Sequence, residues 1–203
     1  MAQKKSCTDA VDLYEDVLKC PGQKRLPGTR AYGWFIRRAY ITKLAEPQKE
    51  AATALKDYLV IKESHTLQAD KKWIKLEFIP DKSSMAPEAQ GEEGCKTMNN
   101  KATVVLPGTE EEQQAVASML LNDDVIVLVP QRNGKVRQFG DDAFTVNVTP
   151  SATTGASVTD ESNTTLEISV ACETMPPFYY GDIVTADGTY SGETCKLKTV
   201  SDV

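Results

Sequence analysis

The chain has 203 residues, with 29 acidic side chains, 23 basic ones and one histidine, which gives a net charge of −6 at pH 7. With 40% hydrophobic residues it can bury a sizeable core, and we expect residues 1–203 to form a single domain. The longest aliphatic run, residues 125–129, is far shorter than the roughly 20 residues of a membrane-spanning helix, so we expect no membrane partner.

The N-terminal residues argue against a secreted protein, and the cysteines argue against a protein held together by disulfides or zinc. Residues 9–16 carry acidic side chains where a secretory signal peptide needs its apolar stretch, which predicts a chain that is not exported by that route. The 5 cysteines contain no C-x-x-C pair, so neither a disulfide framework nor a zinc site is indicated. We expect reduced thiols.

Charge is distributed unevenly along the chain. Residues 1–106 carry 18 basic and 14 acidic groups, whereas residues 107–203 carry 5 basic and 15 acidic groups. Residues 19–45 combine basic and aromatic side chains without a carboxylate, a composition typical of nucleic-acid binding but also of a half-buried strand. Because the acidic half would repel phosphate, we expect no sequence-specific nucleic-acid binding. The asymmetry favours a head-to-tail contact between identical subunits.

The first third of the chain predicts short elements. Residues 8–19 have apolar side chains at helical spacing and a capping threonine, and a Pro-Gly pair follows. Residues 31–44 are rich in aromatic and β-branched side chains and predict one or two strands. Residues 47–59 have helical spacing with proline at the start, although residues 58–61 are also strand-like. Residues 73–79 alternate as a strand does.

A long polar loop and one helix follow. Residues 81–100 are rich in Ser, Pro, Glu, Gly and Asn, which predicts a projecting loop between strands. The next strand is predicted over residues 101–106. Thr109 and Glu112 form a capping box, and the helix after them has an apolar stripe. The predicted stripe consists of Ala115, Val116, Met119 and Leu120.

The rest of the chain predicts antiparallel strands. Residues 124–131 and 135–139 flank Asn133-Gly134, a strong hairpin signal. Further strands are predicted over residues 143–149, 164–171 and 183–185. The fold class predicted is therefore mainly β (α+β), an antiparallel β-sandwich or open barrel with one or two flanking helices.

The candidate chemical motifs do not indicate an enzyme. His65 is the only histidine, and no nucleophile signature surrounds it, so we interpret it as a surface or hydrogen-bonded residue. Residues 160–171 begin like a calcium loop but lack its glycine and its final carboxylate. Adjacent acidic pairs point to opposite faces of a strand and do not share a site. We expect no catalytic residue, no cofactor and no bound metal.

Several short sequences occur in an order found in one structural family. They are Cys20-Pro21-Gly22, Leu26-Pro27-Gly28, residues 67–74, residues 88–92, residues 106–111, residues 133–137, Thr154-Gly155 with Thr159-Asp160, and residues 176–181. In this order they resemble major tail tube subunits of phages and prophages, over about residues 10–185.

The resemblance implies a β-sandwich with a flanking helix, and hexameric rings that stack into a tube without catalysis. It also implies other tail proteins as partners and a location in the virion, or in the bacterial host cytoplasm before assembly. An acidic lumen would suit the passage of DNA, because phosphate contacts retard it. We place the subunit interface at Arg37 and Arg38 in the basic segment and at Glu92 and Glu93 in the long loop.

A second hypothesis comes from the aromatic residues near the C-terminus. If Phe178, Tyr179 and Tyr180 are exposed, a monomeric β-sandwich would bind carbohydrate or peptide along them. A packed strand end after Pro177 is the alternative interpretation of these three residues.

Overall fold

Two β-sheets of unequal size face each other in the computed structural model, which describes residues 13–19, 21–22 and 25–198. The larger sheet contains, in spatial order, β3 (Val60–Ile61), β13 (Phe178–Tyr179), β10 (Val136–Phe139), β9 (Val125–Pro130), β1 (Tyr32–Arg37) and β5 (Ile74–Glu77). Its neighbouring strands are antiparallel, except that β13 and β3 run parallel.

The second sheet has five strands. It contains β11 (Asn147–Thr153), β12 (Asn163–Cys172) and β8 (Thr97–Pro107), with β6 (Ser84–Met85) and β7 (Glu88–Gln90) both paired to the far edge of β8. Two small antiparallel pairs complete the strands: β14 (Asp182–Thr185) with β15 (Gly188–Ser191), and β2 (Ile41–Lys43) with β4 (Thr66–Leu67).

The main core lies between the two sheets because alternate residues of the facing strands point inward. Val104 of β8 and Ile168 of β12 meet Val127 of β9 in one buried cluster. The helix α1 (Glu111–Leu120) adds Ala117 and Leu120 to the same cluster, so it flanks the sandwich beside β11 and β12. The predicted fold class, a mainly β sandwich-like fold with a flanking helix, is confirmed.

A second core covers the outer face of the six-stranded sheet. Trp34 and Leu128 pack there with Ile183 and Cys195, from segments near the C-terminus. Both faces of β9 are consequently buried, which explains why residues 125–129 form a continuous apolar run and do not alternate.

Two predicted helices differ from the structure. Residues 13–19 contain no helix, and the rest of the predicted helix over 8–19 lies outside the described residues. The helix predicted over 47–59 is wrong: this segment forms two short 3₁₀ turns, Lys49–Ala51 and Leu55–Asp57. The physical reason is long-range pairing, since the backbone N–H of Phe178 donates to the carbonyl of Leu59 over 2.8 Å and draws this end of the segment toward the sheet.

The predicted helix after Pro107 is confirmed, but its capping box is wrong. Glu110 is the N-cap and makes no side-chain capping bond. The hydroxyl of Thr109 instead lies 3.1 Å from the hydroxyl of Ser162, on the chain before β12. The buried stripe is also rotated from the predicted one, since Ala117 and Leu120 are buried while Met119 is 61% exposed.

The predicted hairpin between β9 and β10 is confirmed. The N–H of Gly134 donates to the carbonyl of Gln131 over 2.9 Å, and the Asn133 side chain accepts the N–H of Lys135. Gly134 has φ +92°, so a turn ending in a left-handed residue connects the strands. The strands predicted over 31–44, 73–79, 101–106, 164–171 and 183–185 are also found, whereas β11 begins at Asn147 and not at residue 143.

The segment predicted as a long loop, 81–100, contains strand structure. Strands β6 and β7 lie within it, and both pair with β8. A turn over residues 91–96 joins β7 to β8. Among the described residues, no helix has both the length and the apolar character to cross a membrane.

Candidate functional site

Strand β11 forms an open edge of the five-stranded sheet. It pairs with β12 from Asn147 opposite Ser169 to Thr153 opposite Asn163, and no described strand pairs with its other side. None of its seven side chains is charged, and Val148 alone is buried. Natural edges are usually protected by charged side chains, proline, short length or a covering helix. Pro150 lies within β11 and α1 contacts the strand, but none of the described strands pairs with its outer side.

Strand β5, at an edge of the six-stranded sheet, has a different character. Just before it, the N–H of Trp73 donates to the carbonyl of Val184 over 2.8 Å, which covers the beginning of the edge. Along the strand, the ammonium of Lys75 donates to the carboxylate of Glu77 over 2.8 Å. These charged side chains oppose the approach of a second strand at β5, whereas β11 carries no charged side chain.

The turn between β7 and β8 projects beyond the end of the five-stranded sheet. Cys172, the last residue of β12, pairs with Met98, and the turn over residues 91–96 lies further along the same direction. Glu92 and Glu93 are exposed in this turn. An ion pair between Lys101 and Glu88 joins the two strands at its base.

The two arginines that the sequence analysis places at an interface bind carboxylates of their own chain. Arg37 donates from Nε and Nη2 to the two oxygens of Asp123, over 2.8 and 2.7 Å. Arg38 donates from Nε to Asp142 over 2.8 Å and from Nη1 to the carbonyl of Ile41 over 2.8 Å. Arg37 is the last residue of β1 in the six-stranded sheet, and Arg38 directly follows it. The structure does not group them with Glu92 and Glu93, which lie on a turn of the other sheet.

Four ion pairs within the subunit neutralise part of the charge difference between the two halves of the chain. Each joins a basic residue of the first 106 residues to a carboxylate of the second half of the chain: Arg37–Asp123, Arg38–Asp142, Lys49–Glu173 and Lys82–Glu161. This mixing is possible because β1 and β9 are neighbours in one sheet. Separation of charge along the sequence is therefore not the same as separation in space.

His65 is buried and fully hydrogen-bonded. Its Nδ1 accepts the backbone N–H of Ala45 over 3.0 Å, so the proton is on Nε2, which donates to Oε1 of Gln138 over 2.9 Å. The ring stacks on Tyr179, with centroids 4.6 Å apart. Burial lowers the pKa of His65 to about 4. The ring is thus neutral at pH 7, and this geometry gives it a structural role in joining β10, β13 and the segment before β4.

The aromatic residues 178–180 do not form one exposed surface. Tyr179 is fully buried, and its hydroxyl accepts the N–H of His65 and donates to the carbonyl of Asp182, each over 3.1 Å. Phe178 is half-buried beneath the guanidinium of Arg137, and Tyr180 lies beneath the ammonium of Lys135. The packed strand end is the interpretation that the geometry supports.

A cavity of about 580 Å³ lies at the end of the sandwich opposite α1. Its walls are residues 45–51, residues 140–144 and the ends of β8 and β12. Asn100 lines the wall with only 1% of its surface exposed, and its Nδ2 donates to the carbonyl of Thr174 over 2.9 Å. Its Oδ1 is buried without a hydrogen-bond partner.

Sequence reasoning did not find this cavity, because its lining residues are far apart in the chain. One local signal existed. On the inward face of β8, the polar Asn100 precedes Ala102, Val104 and Leu106, so it interrupts an apolar face.

The described residues contain no cluster of His, Cys, Asp or Glu side chains that would hold a metal ion. Comparisons of the chain with protein families, characterised proteins and solved structures found no match.

Proposed function

We propose that the protein is a self-assembling structural subunit of a phage-type tail tube, in which neighbouring copies continue one another's sheets around a ring. The observation that carries this proposal is the open, uncharged edge of β11. An isolated subunit leaves this edge exposed to water and to aggregation, whereas a ring pairs it. The resemblance in sequence order to tail tube subunits supports the same function.

A head-to-tail contact requires a second edge on the opposite side of the same sheet. In the five-stranded sheet that side is formed by β6 and β7, across β12 and β8 from β11. All three residues of β7 are exposed. Pairing β11 of one copy with β7 of the next makes a heterologous contact, which closes into a ring if the rotation between copies allows it.

This arrangement also places Glu92 and Glu93 beside the contact, because their turn directly follows β7. Backbone hydrogen bonds supply most of the attraction in such a contact, and side chains supply its specificity. The four ion pairs within the subunit already neutralise basic and acidic side chains that could otherwise attract a second subunit. We therefore expect assembly to depend only weakly on salt.

The test is the oligomeric state of the full chain. Size exclusion with light scattering, followed by negative-stain electron microscopy, should show rings or tubes at high protein concentration. Thr149→Lys with Ser151→Lys places two charges on exposed positions of the β11 edge and should give monomers.

The control is Thr165→Lys, because Thr165 lies directly opposite Ser151 on the interior strand β12. It adds a charge to the same sheet without altering the edge, and it should assemble as the wild type does. A wild-type chain that is monomeric at all protein and salt concentrations would contradict the proposal. So would an edge variant that assembles normally.

A further inference from the structure

We infer that residues 13–19 of one copy pack on the outer face of α1 in a second copy. This contact joins copies in successive rings, so it rests on the proposed function and adds a lengthwise contact to the edge pairing around each ring. It brings together two apolar surfaces that a single subunit leaves exposed.

The first surface is the N-terminal segment, residues 13–19. Its apolar side chains follow helical spacing, with Leu13 four residues before Val17. The structure shows no helix in this segment, and Val17 and Leu18 are 84% and 74% exposed. Apolar side chains at helical spacing that remain exposed are typical of a segment that folds against a partner.

The second surface is the outer face of α1. Ala115 is exposed, Met119 is 61% exposed, and Val116 is only half-buried. Because residues four apart are neighbours on a helix, these side chains form one apolar strip beside the face that Ala117 and Leu120 bury in the core. Contiguous exposed apolar side chains mark interaction sites more often than scattered ones do.

The two surfaces lie at opposite ends of the sandwich. The strip ends at Met119, shortly before β9 begins at Val125. The N-terminal segment leads into the other end of β9, where the N–H of Arg132 donates to the carbonyl of Gly28 over 3.0 Å. The six residues of β9 span about 20 Å. When copies stack head to tail along this direction, the segment of one copy enters beside α1 of the next.

The charge at the end of α1 favours the same contact. The last turn of α1 contains no basic residue to balance the partial negative charge of the helix C-terminus. Lys19 is exposed at the end of the apolar segment and supplies a cation. Because a cation stabilises a helix C-terminus, the two surfaces are complementary in charge as well as apolar.

The test is photo-crosslinking between copies that carry different isotopes. The full chain is prepared in ¹⁴N and ¹⁵N forms with p-benzoylphenylalanine in place of Val17, and the two forms are mixed at low concentration and then concentrated. Peptide mass spectrometry should find crosslinks from residue 17 to residues 115–119 that join a light peptide to a heavy one.

The same crosslinker in place of Val184 is the control. Val184 is an exposed valine of β14, and the neighbouring Ile183 packs on the outer face of the six-stranded sheet, on the side away from α1. This variant should give no crosslink to residues 115–119.

Two substitutions in α1 separate the apolar contact from a general effect of charge. Met119→Asp places a carboxylate within the strip and should lower the yield of crosslinks from residue 17 at least about tenfold, because the contact would bury that charge. Ser118→Asp adds the same charge to the neighbouring exposed position, off the strip, and should leave the yield within about twofold of the unsubstituted chain. Circular dichroism checks that both variants fold.

Crosslinks that never join a light peptide to a heavy one would show that the segment covers α1 of its own chain, and would overturn the inference. Equal yields for Met119→Asp and Ser118→Asp, or no crosslink to residues 115–119, would overturn it as well. Electron microscopy of the same samples separates this contact from the proposed function. Rings without the crosslink overturn the contact alone, whereas the crosslink between copies without rings or tubes overturns the proposed function alone.

Discussion

The Nε2–H of His65 donates to Oε1 of Gln138 over 2.9 Å, in the buried region between the six-stranded sheet and the segments that cover it. Gln138 in turn donates from Nε2 to the carbonyl of Gly140 over 3.1 Å. The amide therefore joins the histidine to the strand end beside the cavity. Both ring nitrogens of His65 and both polar atoms of the Gln138 amide are used in hydrogen bonds within the protein. Protonating the ring would therefore bury a positive charge and break the bond that Nδ1 accepts.

The first prediction concerns stability against pH. The pKa of His65 is lowered by burial to about 4, whereas in the unfolded chain it is about 6.5. Above pH 6.5 the His65 ring is neutral in both the folded and the unfolded chain, so its protonation does not lower the unfolding free energy. As the pH falls from 6.5 to 4, the unfolded state binds a proton that the folded state excludes, so the unfolding free energy decreases by up to about 3 kcal/mol.

Urea unfolding at several pH values checks this, with His65→Asn as the comparison. The carboxylates contribute to both proteins, so the difference between the two curves isolates the histidine. We expect the wild type to lose more stability than the variant between pH 6.5 and 4. Parallel curves would show that His65 is not buried as described.

The second prediction concerns the hairpin turn. Gly134 has φ +92°, and a Cβ there would lie 3.0 Å from Nη2 of Arg30 and 3.0 Å from the carbonyl oxygen of Thr194. Gly134→Ala should therefore lower the unfolding free energy by more than about 1 kcal/mol, through backbone strain and crowding together. Urea unfolding measures the effect.

Gly94→Ala is the matched control for that variant. Gly94 has φ +85°, but a Cβ there would meet nothing within 4 Å. This variant carries the backbone strain alone, so its loss of stability should be the smaller of the two. An equal loss at both positions would mean that the contacts of the turn with Arg30 and Thr194 are not formed.

The third prediction concerns the thiols. Cys95 is exposed in the turn after β7, Cys172 is half-buried, and Cys195 is only 2% exposed. Burial raises the pKa of both Cys172 and Cys195, which reduces the thiolate fraction that reacts. Iodoacetamide at pH 7.5, followed by peptide mass spectrometry, should modify Cys95 well before the other two. Labelling in urea should abolish the difference, and native labelling of Cys195 as fast as Cys95 would refute it.

The fourth prediction concerns Arg37. The sequence analysis places Arg37 and Arg38 at the subunit interface, and if they lie there, replacing both by Glu should weaken association in a salt-dependent way. Because Arg37 binds Asp123 within the subunit, Arg37→Asp alone should also destabilise the monomer by placing two carboxylates together. Exchanging the pair, with Arg37→Asp and Asp123→Arg, should restore most of the melting temperature.

The self-association of the exchanged variant, measured at low and at high salt, then shows whether residue 37 lies at the subunit contact. Weaker association at low salt that recovers at high salt would place Arg37 at the subunit contact, and unchanged association would place it elsewhere. An exchanged variant that melts no higher than Arg37→Asp would contradict the ion pair within the subunit.

Local patterns in the sequence were sufficient for the elements that depend on neighbouring residues. The Asn133-Gly134 pair predicts the β9–β10 hairpin because a left-handed glycine is needed at that turn. Alternation over residues 164–171 predicts β12 because one face of that strand contacts the core and the other is more exposed. From such elements, the antiparallel sandwich with a flanking helix follows.

Tertiary structure alone decided the features that join distant segments. The pairing of Val60 with Phe178 makes residues 60–61 an edge strand directly after the segment predicted as a helix, and no local pattern encodes that partner. The cavity brings residues 45–51 together with Asn100 and Asp141, and the ion pair of Arg37 with Asp123 joins the two halves of the chain. Spacing along a sequence reports which side chains share a face, but which faces meet depends on the packing of the whole core.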